Sequence, residues 1–150
     1  MAISWIVRLP PTPTFQKTSG SRSFANSRPN VFANLEDSII RVDTGINLDL
    51  HAIPDAVKAI EAQGYDGVRS AEMNHDPFFP LLLAAEHSEK LEIASSIAVA
   101  FARSPMNLAN IGHDLNAYSK GRFTIGLGSQ IKPHITKRFS MPWGGPAAQM

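Results

Sequence analysis

Hydrophobic and polar positions change their period repeatedly along residues 41–150, and each change predicts a new element of secondary structure. The first stretch, RVDTGINLDL, alternates enough to predict a short strand near residues 42–48. Pro54 suits the first turn of a following helix, and Gly64 suits the position after its last turn. The helical stripe between them consists of Ile53, Ala56, Val57 and Ile60.

The alternation of strand and helix continues to residue 128. Residues 67–72 predict a second strand, and DPFFPLLLAAEHSEK predicts a second helix with Asp76 as a cap. The apolar, β-branched run LEIASSIAVAF predicts a third strand. The clearest helix is SPMNLANIGHDLNAYSKG, which Ser104 caps and Gly121 ends. RFTIGLG predicts the fourth strand, and residues 129–150 predict a loop with short helical pieces.

This β-α-β-α-β-α-β order with short connections predicts an α/β fold with a parallel sheet, because parallel neighbours need crossover connections. The strands are apolar runs, as expected where both faces of a sheet are buried. Two architectures remain open at this point. One is a doubly wound sheet, and the other is part of a (β/α)₈ barrel.

Residues 1–40 differ from the rest of the chain. They are rich in Pro, Ser, Thr and Arg, and they lack periodicity. An Arg- and Ser-rich start without acids is also typical of an organellar transit peptide. The preferred interpretation is a disordered or non-family N-terminal extension, followed by one folded unit over residues 41–150.

Composition and charge argue against several classes of partner and of chemistry. The net charge is +1, and all thirteen acidic residues lie between Glu36 and Asp114. The basic residues outside that range are dispersed, so we expect no nucleic-acid partner. No apolar run approaches the ~18 residues of a membrane span, so we expect no membrane partner. The absence of cysteine excludes thiolate chemistry and fits a cytoplasmic protein.

A glycine-rich loop follows the fourth strand, in GRFTIGLGSQIKPH. Gly126 and Gly128 resemble the start of a dinucleotide fingerprint, but the third glycine and the later acid are missing. A Walker loop is excluded because no Gly-Lys-Ser/Thr occurs. The loop is therefore a weak candidate for phosphate binding.

Polar residues also gather where the second and third strands end. AEMNHDPFF brings Glu72, Asn74, His75 and Asp76 to the carboxyl end of strand two, where parallel α/β folds hold their ligands. In SSIAVAFARSP, two serines lie inside a buried strand, where they either bond to backbone or mark a bulge. Arg103, just after this strand, is either a surface residue or an anion contact, and we expect the surface position by default. No histidine pair has metal-ligand spacing, so no metal site is predicted.

The order and spacing of three stretches resemble the luciferase-like monooxygenase superfamily, in its F420-dependent oxidoreductase branch. The stretches are AIEAQGYDGV, then AEMNHDPFFPLLLAAEHSEKLEIASSIAVAFARSPMNLA, then SKGRFTIGLGSQIKPHITKRFSMPW. The resemblance covers residues 41–150. It implies a partial (β/α)₈ TIM barrel made of the first four β/α units, because such a barrel needs eight strands and about 250 residues.

The resemblance also implies site residues at the carboxyl ends of the strands. His75 would be catalytic, with Glu72 and Asn74 near the reacting ring. The peptide Ser96–Ile97 would be cis and would back that ring. The family's cofactor-proximal end of strand four corresponds here to Gly126, Gly128, Ser129 and Gln130.

The implied function is that of an F420-dependent oxidoreductase, truncated here, that transfers a hydride between deazaflavin F420 and a small organic substrate. The alternative cofactor is FMN, in a flavin-dependent monooxygenase of the same superfamily. A rival from another class is a non-catalytic half-barrel that acts as an assembly or binding module. We expect little activity from this chain alone and two unpaired edges on its sheet. A homodimer of the full-length form stays open.

Overall fold

The computed structural model describes residues 4–8 and 40–150. The elements are β1 Ser4–Arg8, β2 Asp43–Gly45, α1 Ile53–Ala62, β3 Gly67–Ser70, α2 Phe78–His87, β4 Glu92–Ser95, β5 Ala98–Val99, α3 Pro105–Tyr118, β6 Phe123–Gly128 and α4 Pro146–Gln149. From residue 41 onward they follow the predicted alternation, whereas β1 lies in the segment for which no strand was predicted. Turns of 3₁₀ helix precede α1 and follow β5, at Leu50–Ala52 and Ala100–Ala102. A π-helical turn, His134–Arg138, and α4 are the short helical pieces predicted after residue 128.

The helix boundaries arise from the residues that the sequence pattern indicates. The Ser104 hydroxyl accepts a hydrogen bond from the Asn107 amide at 3.2 Å, which satisfies one free N–H at the start of α3. Asp76 does the same for α2, accepting from the Phe78 amide at 2.8 Å. Gly64 and Gly121, after α1 and α3, have φ of +84° and +85°, a conformation that glycine adopts without strain.

The strand order decides between the two architectures. β2, β3, β4 and β6 are parallel neighbours in their chain order, with β5 also parallel to β6. A doubly wound sheet reverses its strand order at a switch point, whereas a barrel adds each strand next to the preceding one. The order of the sheet is therefore that of the first four units of a barrel, as predicted.

The helices cover one face of this sheet and form the main core with it. Val68, Ile93 and Phe123 are paired across β3, β4 and β6, and all three are fully buried. The helices contribute Val57, Leu81, Leu108 and Leu115 to the same cluster. Because side chains alternate along a strand, Arg69, Ala94 and Thr124 belong to the opposite face. The sheet therefore separates an apolar, helix-covered side from a side of charged and small residues.

One sheet edge differs from the prediction. Two unpaired edges were expected, but β1 lies antiparallel to β6, from Ser4 opposite Gly128 to Arg8 opposite Thr124. The expectation is wrong for β6, because a segment remote in sequence supplies backbone partners for that edge. Apart from β1 and Ile40, the predicted extension lies outside the described residues, and its character stays a prediction.

The segment after β6 packs on a second, smaller cluster formed by Val99, Phe101 and Ile135. The Trp143 ring meets the Phe101 ring edge-to-face, with the centroids 5.6 Å apart. This contact anchors the last part of the chain against the turn that follows β5. Within residues 4–8 and 40–150, none of the helices has the length and apolar character that crossing a membrane requires.

Candidate functional site

Three segments meet at the carboxyl edge of the sheet, where β3, β4 and β6 end. The Ser96 amide donates to the Ser70 carbonyl at 2.8 Å, and the Glu72 amide donates to the Ile97 carbonyl at 3.2 Å. These bonds tie the segment after β3 to the turn after β4. The predicted site residues from strands two and three are thus brought together by backbone pairing.

The turn after β4 contains the backbone feature that the family resemblance implies. The peptide Ser96–Ile97 is cis, at the predicted position. It divides the predicted third strand into β4 and β5. Ser96 is exposed and Ile97 half-buried, so this turn presents its surface at the carboxyl edge.

Ser95 resolves the question that the two serines raised. Its hydroxyl donates to the Gly126 carbonyl and accepts from the Gly126 amide, both at 2.9 Å. The side chain therefore makes two bonds to the backbone of β6 at the bulge, between the pairing of β4 with β6 and that of β5 with β6. Each of the two interpretations holds for one serine: Ser95 bonds to backbone, and Ser96 lies at the bulge.

The two glycines of β6 are required by protein contacts. A Cβ atom on Gly126 would lie 2.2 Å from the Ser95 carbonyl oxygen, and one on Gly128 would lie 2.6 Å from the Ile97 Cδ1 atom. The glycines thus let β6 approach the turn that carries Ile97. Their predicted contact with a cofactor remains a prediction.

The loop after β6 contains the last two predicted site residues. Ser129 is fully buried, and its hydroxyl donates to the Gln130 carbonyl at 3.2 Å. Gln130 is half-buried and has a φ of +57°, in the left-handed region that non-glycine residues rarely adopt. This conformation turns the chain sharply at the end of β6.

A cavity of about 290 Å³ opens between the loops after β2 and β3, and neither the turn at Ser96–Ile97 nor the end of β6 lines it. Asn74 and His75 are exposed and line it, as does Asp76. Its opposite wall includes Asn47 and Asp49, which the sequence interpretation missed. The rule that ligands collect at strand carboxyl ends also covers these two residues, because they follow β2 directly.

Glu72 has a different environment from Asn74 and His75. Only 7% of its surface is exposed, and its Oε2 atom accepts from the Val99 amide at 2.7 Å and from Arg103 Nη1 at 2.6 Å. The carboxylate is therefore already engaged by protein groups. Its predicted role in cofactor binding is untested, and the described contacts give it a structural one.

Arg103 is the clearest correction to the sequence interpretation. We expected a surface residue, but only 14% of its side chain is exposed, and it pairs with both Glu72 and Asp76. Burial by itself lowers the pKa of the guanidinium, but the hydrogen bonds to the two carboxylates outweigh burial, so its pKa lies above the ordinary value. Spacing in the sequence did not reveal this pairing, since the partners lie 27 and 31 positions away.

The arrangement separates a polar, open side from a packed side. Asn74 and His75 offer an amide and an imidazole at the cavity, and these groups can hydrogen-bond a ligand or exchange a proton with it. The packed side consists of the turn at Ser96–Ile97 and the end of β6. No group of three His, Cys, Asp or Glu side chains within the described residues could hold a metal ion.

Comparison with known proteins gives a family match and two kinds of relative. The family model described as luciferase-like monooxygenase matches residues 31–150. The uncharacterized proteins Mb1395 of Mycobacterium bovis and Rv1360 of Mycobacterium tuberculosis are each 58% identical over 111 residues, covering 74% of this chain and 33% of theirs. The chain therefore spans about a third of the length of the curated relatives it matches.

A solved structure shares the fold. It is the oxygenating constituent of 3,6-diketocamphane monooxygenase from Pseudomonas putida, a type II Baeyer-Villiger monooxygenase in complex with FMN. The TM-score is 0.65 at 12% sequence identity, and the match covers 74% of this chain and 37% of that one. At this identity the likeness shows the fold, which is that of a partial barrel.

Proposed function

The chain belongs to the luciferase-like monooxygenase family, and on that premise we propose that it is part of an F420-dependent oxidoreductase. The proposed reaction transfers a hydride between F420 and a small organic substrate. The observation that carries the proposal is the convergence of the segments after β3, β4 and β6 at the carboxyl edge of the sheet, where the segment after β3 also lines an open cavity. In barrels of this kind that edge holds the ligand.

The residues present fit part of such a cofactor. A cavity of about 290 Å³ lies at the lower limit of ligand pockets, which measure about 300–1,000 Å³. It has room for a ring system, and the remaining contacts of a whole cofactor would come from elsewhere. The exposed Ser96 and half-buried Ile97 offer a further surface for one face of a ring at the carboxyl edge, outside the lining of the cavity.

The predicted site residues other than Glu72, whose carboxylate is engaged by Val99 and Arg103, take roles in this proposal. When bound, F420 supplies the two electrons and the proton of a hydride. His75 donates or accepts the accompanying proton, and Asn74 hydrogen-bonds the ring or the substrate. Gly126, Gly128, Ser129 and Gln130 fix the backbone at the end of β6, which closes the same edge of the sheet.

FMN is the second candidate cofactor, and one observation favours it. The structural relative from Pseudomonas putida is a complex with FMN. Titration of F420 and of FMN, followed by fluorescence, compares the two cofactors in this chain and in the full-length mycobacterial relative. We expect F420 to bind more tightly than FMN. Tight binding of FMN without binding of F420 would replace the first candidate with the second.

The role of His75 can be examined in the same titration by NMR. We expect the imidazole signals of His75 to shift when the cofactor binds, because this side chain lines the cavity. His113 is exposed on α3 and serves as the matched control, with signals that stay in place. Equal shifts at both histidines, or a shift at His113 alone, would remove His75 from the site.

The proposal also includes the expectation that this chain alone has little activity, since it contains four of eight barrel units. The alternative from another class is a non-catalytic half-barrel that completes its sheet with a partner. Size-exclusion chromatography and circular dichroism of residues 1–150 and 41–150 compare the two. A compact species of residues 1–150 that melts cooperatively favours the half-barrel, and aggregation or a molten state of residues 1–150 favours the fragment. The comparison with residues 41–150 shows how much of that outcome depends on β1.

The remaining parts of the proposal concern partners and location. We propose a small-molecule substrate, no nucleic-acid or membrane partner, and a cytoplasmic location. The near-neutral charge and the absence of cysteine support these choices. A homodimer of the full-length form is compatible with the proposal.

A further inference from the structure

Arg103 connects two carboxylates that bound the same short segment. Its Nη1 atom donates to Glu72 Oε2 at 2.6 Å, and its Nη2 atom donates to Asp76 Oδ2 at 2.8 Å. The guanidinium is planar and always charged, so its two nitrogens fix the distance and orientation between its partners. The segment between the carboxylates contains Asn74 and His75, which line the cavity.

Glu72 links Arg103 to the turn that contains the cis peptide. The same Oε2 atom that meets Arg103 accepts from the Val99 amide at 2.7 Å. The Glu72 amide donates to the Ile97 carbonyl at 3.2 Å. Backbone and side chain of Glu72 therefore both bind the segment that follows the Ser96–Ile97 peptide, and Arg103 adds a third bond by donating to the Val99 carbonyl at 3.3 Å.

Asp76 links Arg103 to the start of α2. Its Oδ1 atom accepts from the Phe78 amide at 2.8 Å, while its Oδ2 atom binds Arg103. The guanidinium also lies over the Phe78 ring, 5.4 Å from the centroid, where a cation is attracted to the ring face. Arg103 thus reaches the start of α2 by two independent contacts.

The burial of this cluster makes its geometry well determined. Side-chain exposure is 14% for Arg103 and 5% for Glu72, against 35% for Asp76. Removal of one charge from a buried pair leaves the other without compensation, so the pair resists rearrangement. Solvent reaches Asp76 more easily, so a substitution there perturbs the cluster more gently.

We propose that Arg103 is a positioning residue for the candidate site. It holds segment 73–75, which carries the imidazole and amide groups of the cavity wall, in a fixed relation to the turn at Ser96–Ile97. The cofactor part of this inference rests on the proposed function. The structural part concerns this chain alone and can be tested without any ligand.

The variants distinguish the bridging geometry of the Arg103 guanidinium from the effect of its positive charge alone. Arg103→Gln removes the charge, and Arg103→Lys keeps it but replaces the planar fork with a single ammonium group. Asp76→Asn is the gentle variant, because it keeps an oxygen for the Phe78 amide and removes one charge of the bridge. The matched control is Arg41→Gln, which breaks another arginine–carboxylate pair, Arg41 with Glu92, near the opposite edge of the sheet.

The first measurement uses the ligand-free chain. We expect Arg103→Gln and Arg103→Lys to accelerate hydrogen exchange of the Val99 amide by about tenfold or more relative to amides of β3 and β6. The ¹⁵N heteronuclear NOE of residues 73–75 should fall in both variants and, to a smaller extent, in Asp76→Asn. Arg41→Gln should change neither. If Arg103→Gln fails to fold, Asp76→Asn and Arg103→Lys decide the question.

The second measurement adds F420 or FMN, whichever the wild-type chain binds. We expect the dissociation constant to rise by about tenfold in Arg103→Gln and Arg103→Lys, with Arg41→Gln unchanged. If the wild-type chain binds neither cofactor, the proposed function fails in this chain while the exchange and NOE results still judge the positioning role.

Two results would overturn the positioning role. One is a uniform change of exchange at all amides in proportion to global stability, which would make Arg103 a general stabilising residue. The other is full recovery of the NOE and exchange values in Arg103→Lys, which would show that charge suffices without the bridging geometry.

Discussion

Gly126 and Gly128 in β6 are both required by contacts within the protein, but the two contacts differ in kind. The obstacle to a side chain on Gly126 is a backbone carbonyl, that of Ser95, whereas the obstacle on Gly128 is the end of the Ile97 side chain. A backbone group cannot move aside without shifting a strand, but a side-chain terminus has some freedom. The two glycines should therefore tolerate substitution to different degrees.

This difference gives a ranked prediction for alanine substitutions. Gly126→Ala should destabilise the chain by about 1–3 kcal/mol, the usual cost of overpacking, and Gly128→Ala should cost less. Gly145→Ala is the control, because no atom lies within 4 Å of its Cβ position; we expect a change within about 0.5 kcal/mol. Urea unfolding monitored by circular dichroism gives all three values. An equal effect at Gly126 and Gly145 would contradict the packing explanation.

Glu61 shows how one side chain organises a loop at the amino edge of the sheet. Its carboxylate accepts from the amides of Lys90 at 2.6 Å, Glu89 at 3.0 Å and Leu91 at 3.2 Å. Burial alone raises the pKa of Glu61, but these three backbone bonds outweigh it and hold the pKa below its ordinary value. A lowered pKa in the folded state means that the charged form stabilises the fold.

The pH dependence of stability follows from the lowered folded-state pKa of Glu61. The contribution of Glu61 is present at neutral pH and is lost as the pH falls through its lowered folded-state pKa. We expect Glu61→Gln to lose about 1 kcal/mol at pH 7, the usual contribution of a hydrogen bond, and to show a flatter acid limb in urea unfolding measured from neutral to acidic pH. Glu86→Gln, at an exposed position on α2, is the control and should follow the wild type. A parallel acid limb in Glu61→Gln would count against this role.

At the scale of elements, the pairing of β1 with β6 changes what the sheet offers to other chains. A free strand edge presents unpaired N–H and C=O groups that can pair with another molecule. β1 occupies five positions along β6, from Thr124 to Gly128. In a complete barrel of this kind, a fifth parallel strand would lie next to β6. The antiparallel β1 thus protects an edge that four barrel units leave open.

Deletion of residues 1–8 tests this protection. We expect the shortened chain to self-associate, because the backbone groups of β6 lose their partners. Size-exclusion chromatography with light scattering measures the mass of the species over a range of protein concentrations. Deletion of residues 1–3 alone is the control and should leave the mass unchanged. An unchanged mass for both deletions would show that β1 is not needed at this edge.

At the scale of the whole molecule, the described residues form two apolar clusters of unequal size. The main cluster joins α1, α2 and α3 to one face of the sheet, while the smaller one contains Val99, Phe101 and Ile135. The smaller cluster is completed by partly buried residues of the last segment, including Trp143. Regions with fewer buried contacts open at lower free energy than the main core.

The substitution Trp143→Ala should therefore act locally. We expect hydrogen exchange in residues 131–150 to increase, because the edge-to-face contact with Phe101 is lost. Exchange in β4 and β6 should stay at its wild-type value. Hydrogen–deuterium exchange followed by mass spectrometry resolves both regions in one experiment. A similar increase in β4 and β6 would show that the two clusters unfold together.

The sequence by itself determined the order and type of the elements from residue 41 onward. Helix starts at Pro54 and Ser104 and glycine stops at Gly64 and Gly121 depend on neighbouring residues, so they can be predicted from short stretches. The resemblance to a family supplied what the local pattern left open, which is the barrel architecture and the cis peptide at Ser96–Ile97. These features depend on the order and spacing of three stretches that the chain shares with the family, which the sequence alone displays.

Only the tertiary structure decided the partners that lie far apart in sequence. Arg103 meets Glu72 and Asp76 across 31 and 27 positions, and β1 meets β6 across more than a hundred residues. Such contacts arise from folding around a common sheet, and no local period or cap encodes them. The same holds for Gly126 and Gly128, whose need for a hydrogen in place of a side chain comes from the approach of Ser95 and Ile97 on another strand.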